Sequence, residues 1–432
     1  MSLPDFDWEG TPPMDKQQYL QAGANSPMAT EDQKAVERIA LQLLREPEVQ
    51  AMIADTAREV KAAVPHGPLS AAIFDYEFEM MRWVGLLAAI NIDPNYPRIH
   101  AVSLYPHQTD GVDICGTKAL HPSPDYIYRL APVDDAARFV VHGKKAPEGP
   151  LAFECSLIGA NEATQGNLSI GDLKIAADGS FTITVDPEPA NGRANHLRSA
   201  AGAQQLIIRD IFDHIERQRP MALTIERLDP PTKGPMTIAD IVKEVPRQMT
   251  KAIRGTMAVT AHINKSPVNA LPSPAFFNAG ETLVTQAYAM GHFKLAEDQA
   301  FVINMTMGSA GYAIVPATNY WGGIGDFLNH RTCLSSGRAT PNPDGSYTYV
   351  VARKDPGVVN WVETDGLDEG MLCVRWTAFK QDGGPMPTLE AKLVDWADLE
   401  SALSPGVPRL DAAGRREQIA QHGRDYASWS RG

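Results

Sequence analysis

In the first quarter of the chain the apolar positions recur at three- and four-residue spacing. Val36, Ile39, Ala40, Leu43 and Leu44 mark one helix, with Thr30 as its N-cap and Glu31 and Asp32 in the first turn. Pro47 interrupts this pattern, and a second helix is expected from Val49 to Val64, ending before Pro65-His66-Gly67-Pro68. A third, from Ser70 through Phe74, Phe78, Met81 and Trp83 to Ile90, is apolar nearly all round, which predicts burial. After Asp93-Pro94-Asn95-Tyr96-Pro97 the period drops to two. Tyr126–Leu130, Arg138–His142, Leu151–Cys155, Phe181–Val185, Gln204–Arg209 and Leu223–Arg227 read as strands. A Pro-rich joint, Asp229 to Pro235, then leads to a helix capped by Thr237, interrupted at Pro246 and continuing toward Thr260. A second strand series follows: Phe293–Leu295, Ala300–Met305, Tyr312–Val315, Tyr347–Val351 and Met371–Phe379. The tail from Leu410 to Trp429 reads as a charged surface helix.

The two strand series share a pattern. Asp178-Gly179-Ser180-Phe181-Thr182 and Asp344-Gly345-Ser346-Tyr347-Thr348 each begin a run that continues through an Asn (Asn195, Asn360) to a strand ending in Arg (Arg209, Arg375). The Asp-to-Arg spacing is equal, which points to two related β units. Asp-Gly marks a tight turn, and the alternation after it lays one face on a core. The scaffold reading of Asn195 and Asn360 is a side chain bonded to loop backbone; that of Arg209 and Arg375 is a structural ion pair. The expected class is mainly β with α additions: two tandem antiparallel β-sandwich or jelly-roll-like domains, N-terminal helices and a helical linker. The partition is 1–92 arm and helical segment, 93–229 first β domain, 230–262 joint and linker helix, 263–400 second β domain, and 401–432 helical tail.

A chain of 432 residues suits two domains, and its net charge of −13 argues against nucleic acid and anionic membranes as partners. The start carries no basic-then-apolar leader pattern, and the most apolar stretch, Trp83 to Ile92, is too short to span a bilayer. Cys115, Cys155, Cys333 and Cys373 lie far apart with no metal-ligand spacing, which reads as buried thiols in a reducing, cytoplasmic setting. The arm before Thr30 is the segment for exchange between subunits of a homo-oligomer.

Phosphate-loop, dinucleotide-loop, G-x-S-x-G and HExxH signatures are all missing, so no cofactor and no metal are expected. Leu295-Ala296-Glu297-Asp298-Gln299-Ala300, Tyr320-Trp321-Gly322 with Asp326, Asn329–Leu334, and Asp355-Pro356-Gly357-Val358-Val359-Asn360-Trp361 through Gly366, followed by Arg375-Trp376, resemble the bacterial domain of unknown function 1214. The first block resembles its usual partner domain, of unknown function 1254, more loosely, through Pro124–Tyr128 and Asn195-His196-Leu197. The resemblance implies β-barrel or jelly-roll-like domains with helices and no particular activity. His292 and His196 depart from it, each standing where an aromatic residue is expected.

The densest polar and aromatic segment runs from Asn319 to Thr332. Its glycines allow close backbone approach, its aromatic residues offer a platform, and Asp, His and Arg supply an acid, a base and an anion clamp. A pocket is expected here in which His330 moves a proton tuned by Asp326, Arg331 orients a carbonyl or acidic group, and His292 stands by. Tyr320, Trp321, Trp361 and Asn360 would bind the substrate. The bland alternative makes Tyr320 and Trp321 core and His330 a turn cap. Three functions stay open: a cofactor-independent lyase or hydrolase acting on a partly apolar small molecule, a carbohydrate or small-ligand binding module, and an assembly protein.

Overall fold

The computed structural model describes residues 25–63, 73–118, 121–160, 162–276 and 283–431. The N-terminal arm lies outside them. Helix α1 (Glu31–Leu43) starts where the Thr30 hydroxyl accepts the Gln33 amide at 3.2 Å. Pro47 does not break a helix. It opens α2 (Pro47–Ala63), at a position whose missing N–H would have had no helical partner. Helix α3 (Phe74–Ile90) is buried on nearly every side, as its apolar circumference requires.

The first β unit comprises β1 (His100–Val102), β4 (Tyr126–Pro132), β5 (Phe139–Lys144), β6 (Ala152–Gly159), β7 (Thr164–Ser169), β8 (Ser180–Asp186), β9 (His196–Arg198), β10 (Ala203–Ile211) and β11 (Ala222–Arg227), with a small ribbon of β2 (His107–Thr109) and β3 (Val112–Ile114). Its two sheets run β1-β4-β10-β6-β7 and β11-β5-β8-β9. Phe139, Val141, Phe153, Leu157, Ile183, Leu206 and Ile208 fill the space between them.

Helix α4 (Ile238–Ile263) follows. A full capping box sets its start: Thr237 Oγ1 accepts the Asp240 amide at 3.2 Å, and Asp240 Oδ2 accepts the Thr237 amide at 3.1 Å. Pro246 sits inside this helix without ending it. Gly85 lets α3 and α4 meet, since a Cβ there would lie 2.6 Å from the Met249 Cα.

The second unit repeats the first with β12 (Ala275–Phe276), β13 (Ala287–Lys294), β14 (Gln299–Met305), β15 (Ala310–Thr318), β16 (Cys333–Ser335), β17 (Tyr347–Ala352), β18 (Trp361–Glu363), β19 (Glu369–Phe379) and β20 (Leu389–Asp395). Its sheets run β12-β13-β19-β15-β16 and β18-β17-β14-β20. Strand for strand this is the order of the first unit, with the second sheet read from its other end. The repeated frame occupies the same place in both. Strands β8 and β17 follow the Asp-Gly turns, β9 and β18 pair parallel to them, and β10 and β19 are the central strands of the larger sheets.

The two Asn residues perform one job. Asn195 Oδ1 accepts the Lys174 amide at 2.7 Å and its Nδ2 donates to the Lys174 carbonyl at 3.0 Å. Asn360 does the same to Thr340, at 2.8 Å for both bonds. The scaffold reading of both is therefore the right one.

A short helix α5 (Leu399–Ala402) precedes α6 (Ala412–Arg431). The tail helix lies on the surface with one face docked rather than free. Tyr426 and Trp429 are fully buried, and Trp429 Nε1 donates to the Ile215 carbonyl at 2.6 Å, so α6 is tied onto the first β unit. Among the described residues no helix is long and apolar enough to cross a membrane.

Asn360→Ala removes the paired bonds that a buried side chain makes to the Thr340 backbone, so it should cost about 1–2 kcal/mol in chemical denaturation. Asn195→Ala should act with the same sign, and the double variant should be near the sum, because the two sites lie in separate cores. A loss below about 0.5 kcal/mol at Asn360, the size of an ordinary surface change, would contradict this role.

Candidate functional site

The residues expected to share one pocket are dispersed. Trp321 is fully buried among the helices, its ring 4.7 Å from that of Phe74, because the glycine-rich segment tucks beneath α3 rather than opening to solvent. Trp361 is buried in its own sheet's outer core, with Nε1 donating to the Ala352 carbonyl at 2.9 Å. Asn360 is committed to Thr340. His292, on β13, places Nε2 2.8 Å from the Ser266 carbonyl. Tyr320 is partly buried, and burial beside Glu369 and Asp368 raises its hydroxyl to about 12, too high for acid–base work near neutrality.

Consecutive residues separate at His330 and Arg331. Arg331 is buried and turns away, donating to the Val359 carbonyl at 3.0 Å and to Gln418 of α6. Burial, together with Arg338 and Arg415, lowers its pKa to about 9. His330 faces two carboxylates: Nδ1 is 2.8 Å from Glu363 Oε1, and Nε2 is 3.7 Å from Asp365 Oδ1. Its main tuning partner is thus Glu363, with Asp365 and Asp326 adding smaller charge effects of the same sign. The Asp326 carboxylate instead caps its own turn, accepting from the Leu328 and Asn329 amides and from Asn329 Nδ2. The Glu363 hydrogen bond raises His330 from 6.5 to about 9, so at neutral pH it is an imidazolium and a poor base.

A different group of polar side chains converges where the two larger sheets face each other. Along β10, Leu206 and Ile208 enter the first core, so Ile207, Arg209 and Ile211 face the other way. Along β19, Leu372, Val374 and Trp376 enter the second core, so Cys373, Arg375 and Thr377 face back. Tyr126 and Tyr312 meet in this seam at 5.8 Å, Gln286 Nε2 donates to the Tyr126 hydroxyl at 2.6 Å, and Thr285 Oγ1 donates to Glu154 Oε1 at 3.1 Å.

The two repeat arginines occupy matched places here with unmatched neighbours. Arg209 pairs in register with Tyr128 on β4 and Glu154 on β6. Arg375 pairs with Tyr288 on β13 and Ile314 on β15. The tyrosine is repeated and the carboxylate is not. Burial raises Glu154, while Asn167, Ser169, Thr285 and Arg209 pull it back down. Arg375 is 4% exposed, and its Nη2 donates to the His121 carbonyl. Its Nε and Nη1 make no hydrogen bond. Burial lowers its pKa, and Cys373, Tyr128, Tyr288 and Tyr126 more than offset that. None of those neighbours is a carboxylate, and among the described residues the guanidinium makes no ion pair. The expected ion pair does not form at Arg375.

His121 borders this cation in a strained backbone conformation, φ +55, with Nδ1 lacking a partner. Burial, with Lys118 and Arg375 nearby, lowers its pKa to about 3, so the ring is neutral. Beyond it, buried Lys118 donates to Glu77 Oε2 at 2.7 Å, and Asn319 Nδ2 donates to Glu77 Oε1 at 2.7 Å. Gly323 permits this, since a Cβ there would fall 1.7 Å from Glu77 Oε1. Tyr128 and Tyr288 keep part of their surface accessible beside Arg375. Among the described residues no cluster of His, Cys, Asp and Glu is placed to hold a metal ion.

Against solved structures the chain is similar to an uncharacterized protein from Burkholderia cenocepacia, 26% identical, with a TM-score of 0.69 over 83% of this chain and 99% of that one. That likeness supports the fold of two β-rich units. A protein from Vibrio parahaemolyticus aligns over 73% of this chain and 96% of that one at 9% identity, but its TM-score of 0.42 carries no weight. No family model matches the chain, and no curated protein does.

The His330–Glu363 pair makes a titration prediction. Its folded pKa lies above the unfolded value, so its stabilisation is complete below about pH 6.5 and is lost as pH rises through about 9. In Glu363→Gln the His330 ring signals followed by NMR should titrate markedly lower, toward 6.5. A midpoint unmoved by that substitution would remove Glu363 as the cause.

Proposed function

We propose that this protein binds a small organic carboxylate in the seam between its two β units, with Arg375 as the clamp. The observation that carries this reading is the guanidinium itself: buried, permanently charged, and left with two N–H groups unpaired. An unpaired buried charge is among the most expensive features a fold can hold, and a planar carboxylate matches the guanidinium fork. The matched position in the first unit supports the same conclusion, because there Glu154 lies across from Arg209. At Arg375 a ligand would supply the carboxylate that Ile314 does not. Tyr128 and Tyr288, which keep accessible surface, would flank the ligand and offer their rings to its body.

This is the small-ligand reading rather than the lectin-like one, because Trp321 and Trp361 are committed to cores. Lyase or hydrolase chemistry with His330 as the base draws less support, since an imidazolium has both ring nitrogens protonated and no lone pair with which to accept a proton. Membership of the domain of unknown function 1214 family, carried by the run from Asp355 to Gly366, belongs to the same proposal and adds no chemistry to it.

Removing the guanidinium separates a ligand clamp from a scaffold residue. Arg375→Met should leave the melting temperature unchanged or raised, by replacing an uncompensated charge with an apolar side chain. The same variant should abolish the stabilisation that wild type gains from added acetate, benzoate or hexanoate. A ligand at 100 times its dissociation constant stabilises by about 2.7 kcal/mol, well within reach of a thermal-shift measurement. An unfolded Arg375→Met chain, or wild type indifferent to every acid, would defeat the proposal.

A further inference from the structure

The charges around the seam are matched in pairs, with one left over. Lys118 lies against Glu77 at 2.7 Å, Arg338 against Asp125 at 3.4 Å, and Arg129 against Asp210 at 2.9 Å on the opposite face of β10. Arg209 stands across from Glu154. Burial raises that carboxyl, and three donors together with Arg209 oppose the rise. Asn167 Nδ2 and Ser169 Oγ reach Oε2 at 2.6 and 2.7 Å, and Thr285 Oγ1 reaches Oε1 at 3.1 Å. The Asn167 amide is fixed with its nitrogen toward Glu154, because its oxygen accepts the Ser156 hydroxyl at 2.7 Å. With Glu154 taken as the anion opposite Arg209, Arg375 is the remaining charge, and among the described residues the seam then carries a net charge of plus one.

Charge matching in a dry interior discriminates strongly. A ligand carrying one negative charge neutralises the seam. A second charge would have no cation to meet and would lie beside the Glu154 carboxylate. The accessible surface beside Arg375 is that of the Tyr128 and Tyr288 rings, which favours a body without charge. Resting on the carboxylate-binding reading above, we infer that the ligand is a monocarboxylate with an apolar body, and that Glu154 is the residue that excludes dianions.

The test uses the full-length chain and three six-carbon probes in isothermal titration at pH 7: hexanoate, adipate and the neutral hexanamide. Wild type should bind hexanoate at least roughly tenfold more tightly than adipate, with hexanamide not bound. Apolar burial alone would also favour hexanoate over adipate, so Glu154→Gln supplies the decisive arm. It keeps the shape and removes one negative charge, and should shift the adipate-to-hexanoate affinity ratio toward adipate by roughly tenfold. Adipate binding as well as hexanoate in wild type would overturn the monoanion assignment while leaving carboxylate binding intact. An unchanged ratio in a folded Glu154→Gln protein would overturn the role of Glu154. Binding of neither acid would instead remove the reading on which the inference rests.

Discussion

Strands β10 and β19 are buried on both faces, and this double burial constrains the rest of the molecule. Alternation along a strand sends every second side chain into its own sandwich core and the others toward the opposite unit. Leu206 and Ile208 on one strand, and Leu372, Val374 and Trp376 on the other, satisfy the first demand. The second demand makes a β domain with a single wet face impossible here. Each larger sheet must find a partner, and it finds the other unit. Helices α3 and α4 and the C-terminal α6 then close around the joined pair, which explains why α6 buries Tyr426 and Trp429 despite its charged sequence.

Joining two sheets through polar side chains is costly unless every polar group is paired. Much of the seam meets that condition. Tyr126 with Gln286, Glu154 with Asn167, Ser169 and Thr285, and Tyr312 with Asp125 at 3.0 Å are satisfied groups that fix the units in register. Arg375 does not meet it, and a fold selected for stability alone would place a leucine or methionine there. His121 adds a second departure at the same spot, a non-glycine residue at positive φ with an open ring nitrogen. Strain and unpaired polarity coinciding at one place is the pattern of a site shaped for something other than the protein itself.

Local signals were legible in the sequence and relational ones were not. Thr30 and Thr237 cap helices because a cap needs only residues a turn away, and the Asp-Gly-Ser turns repeat because their bonds stay within three residues. The equal spacing from Asp to Arg foretold two related units, and strand order now matches throughout. The site was misread because burial of a loop depends on what packs over it. Trp321, beside three glycines, looked like a ligand platform but is roofed by α3. His330 and Arg331 are adjacent in sequence and diverge in space, the ordinary fate of neighbours in extended backbone. Asn360 is scaffold for the reason its twin is. No reading of one strand reveals that Arg375 faces Ile314, because that fact belongs to the pairing of β19 with β15.

The asymmetry between the two arginines follows from what repetition does to a buried pair. In two units of one design, a cation and its cross-strand carboxylate can be kept in both copies or exchanged for apolar side chains in both, and either course leaves the interior neutral. Here the cation stands twice and the carboxylate once. An arginine that stands across from Ile314 rather than a carboxylate is a liability of several kcal/mol unless something supplies the charge. Its neighbours were not replaced in step: Tyr288 stands beside Arg375 just as Tyr128 stands beside Arg209, and both keep accessible surface. Under the proposed carboxylate binding, Arg375 is half of an ion pair whose other half arrives from outside.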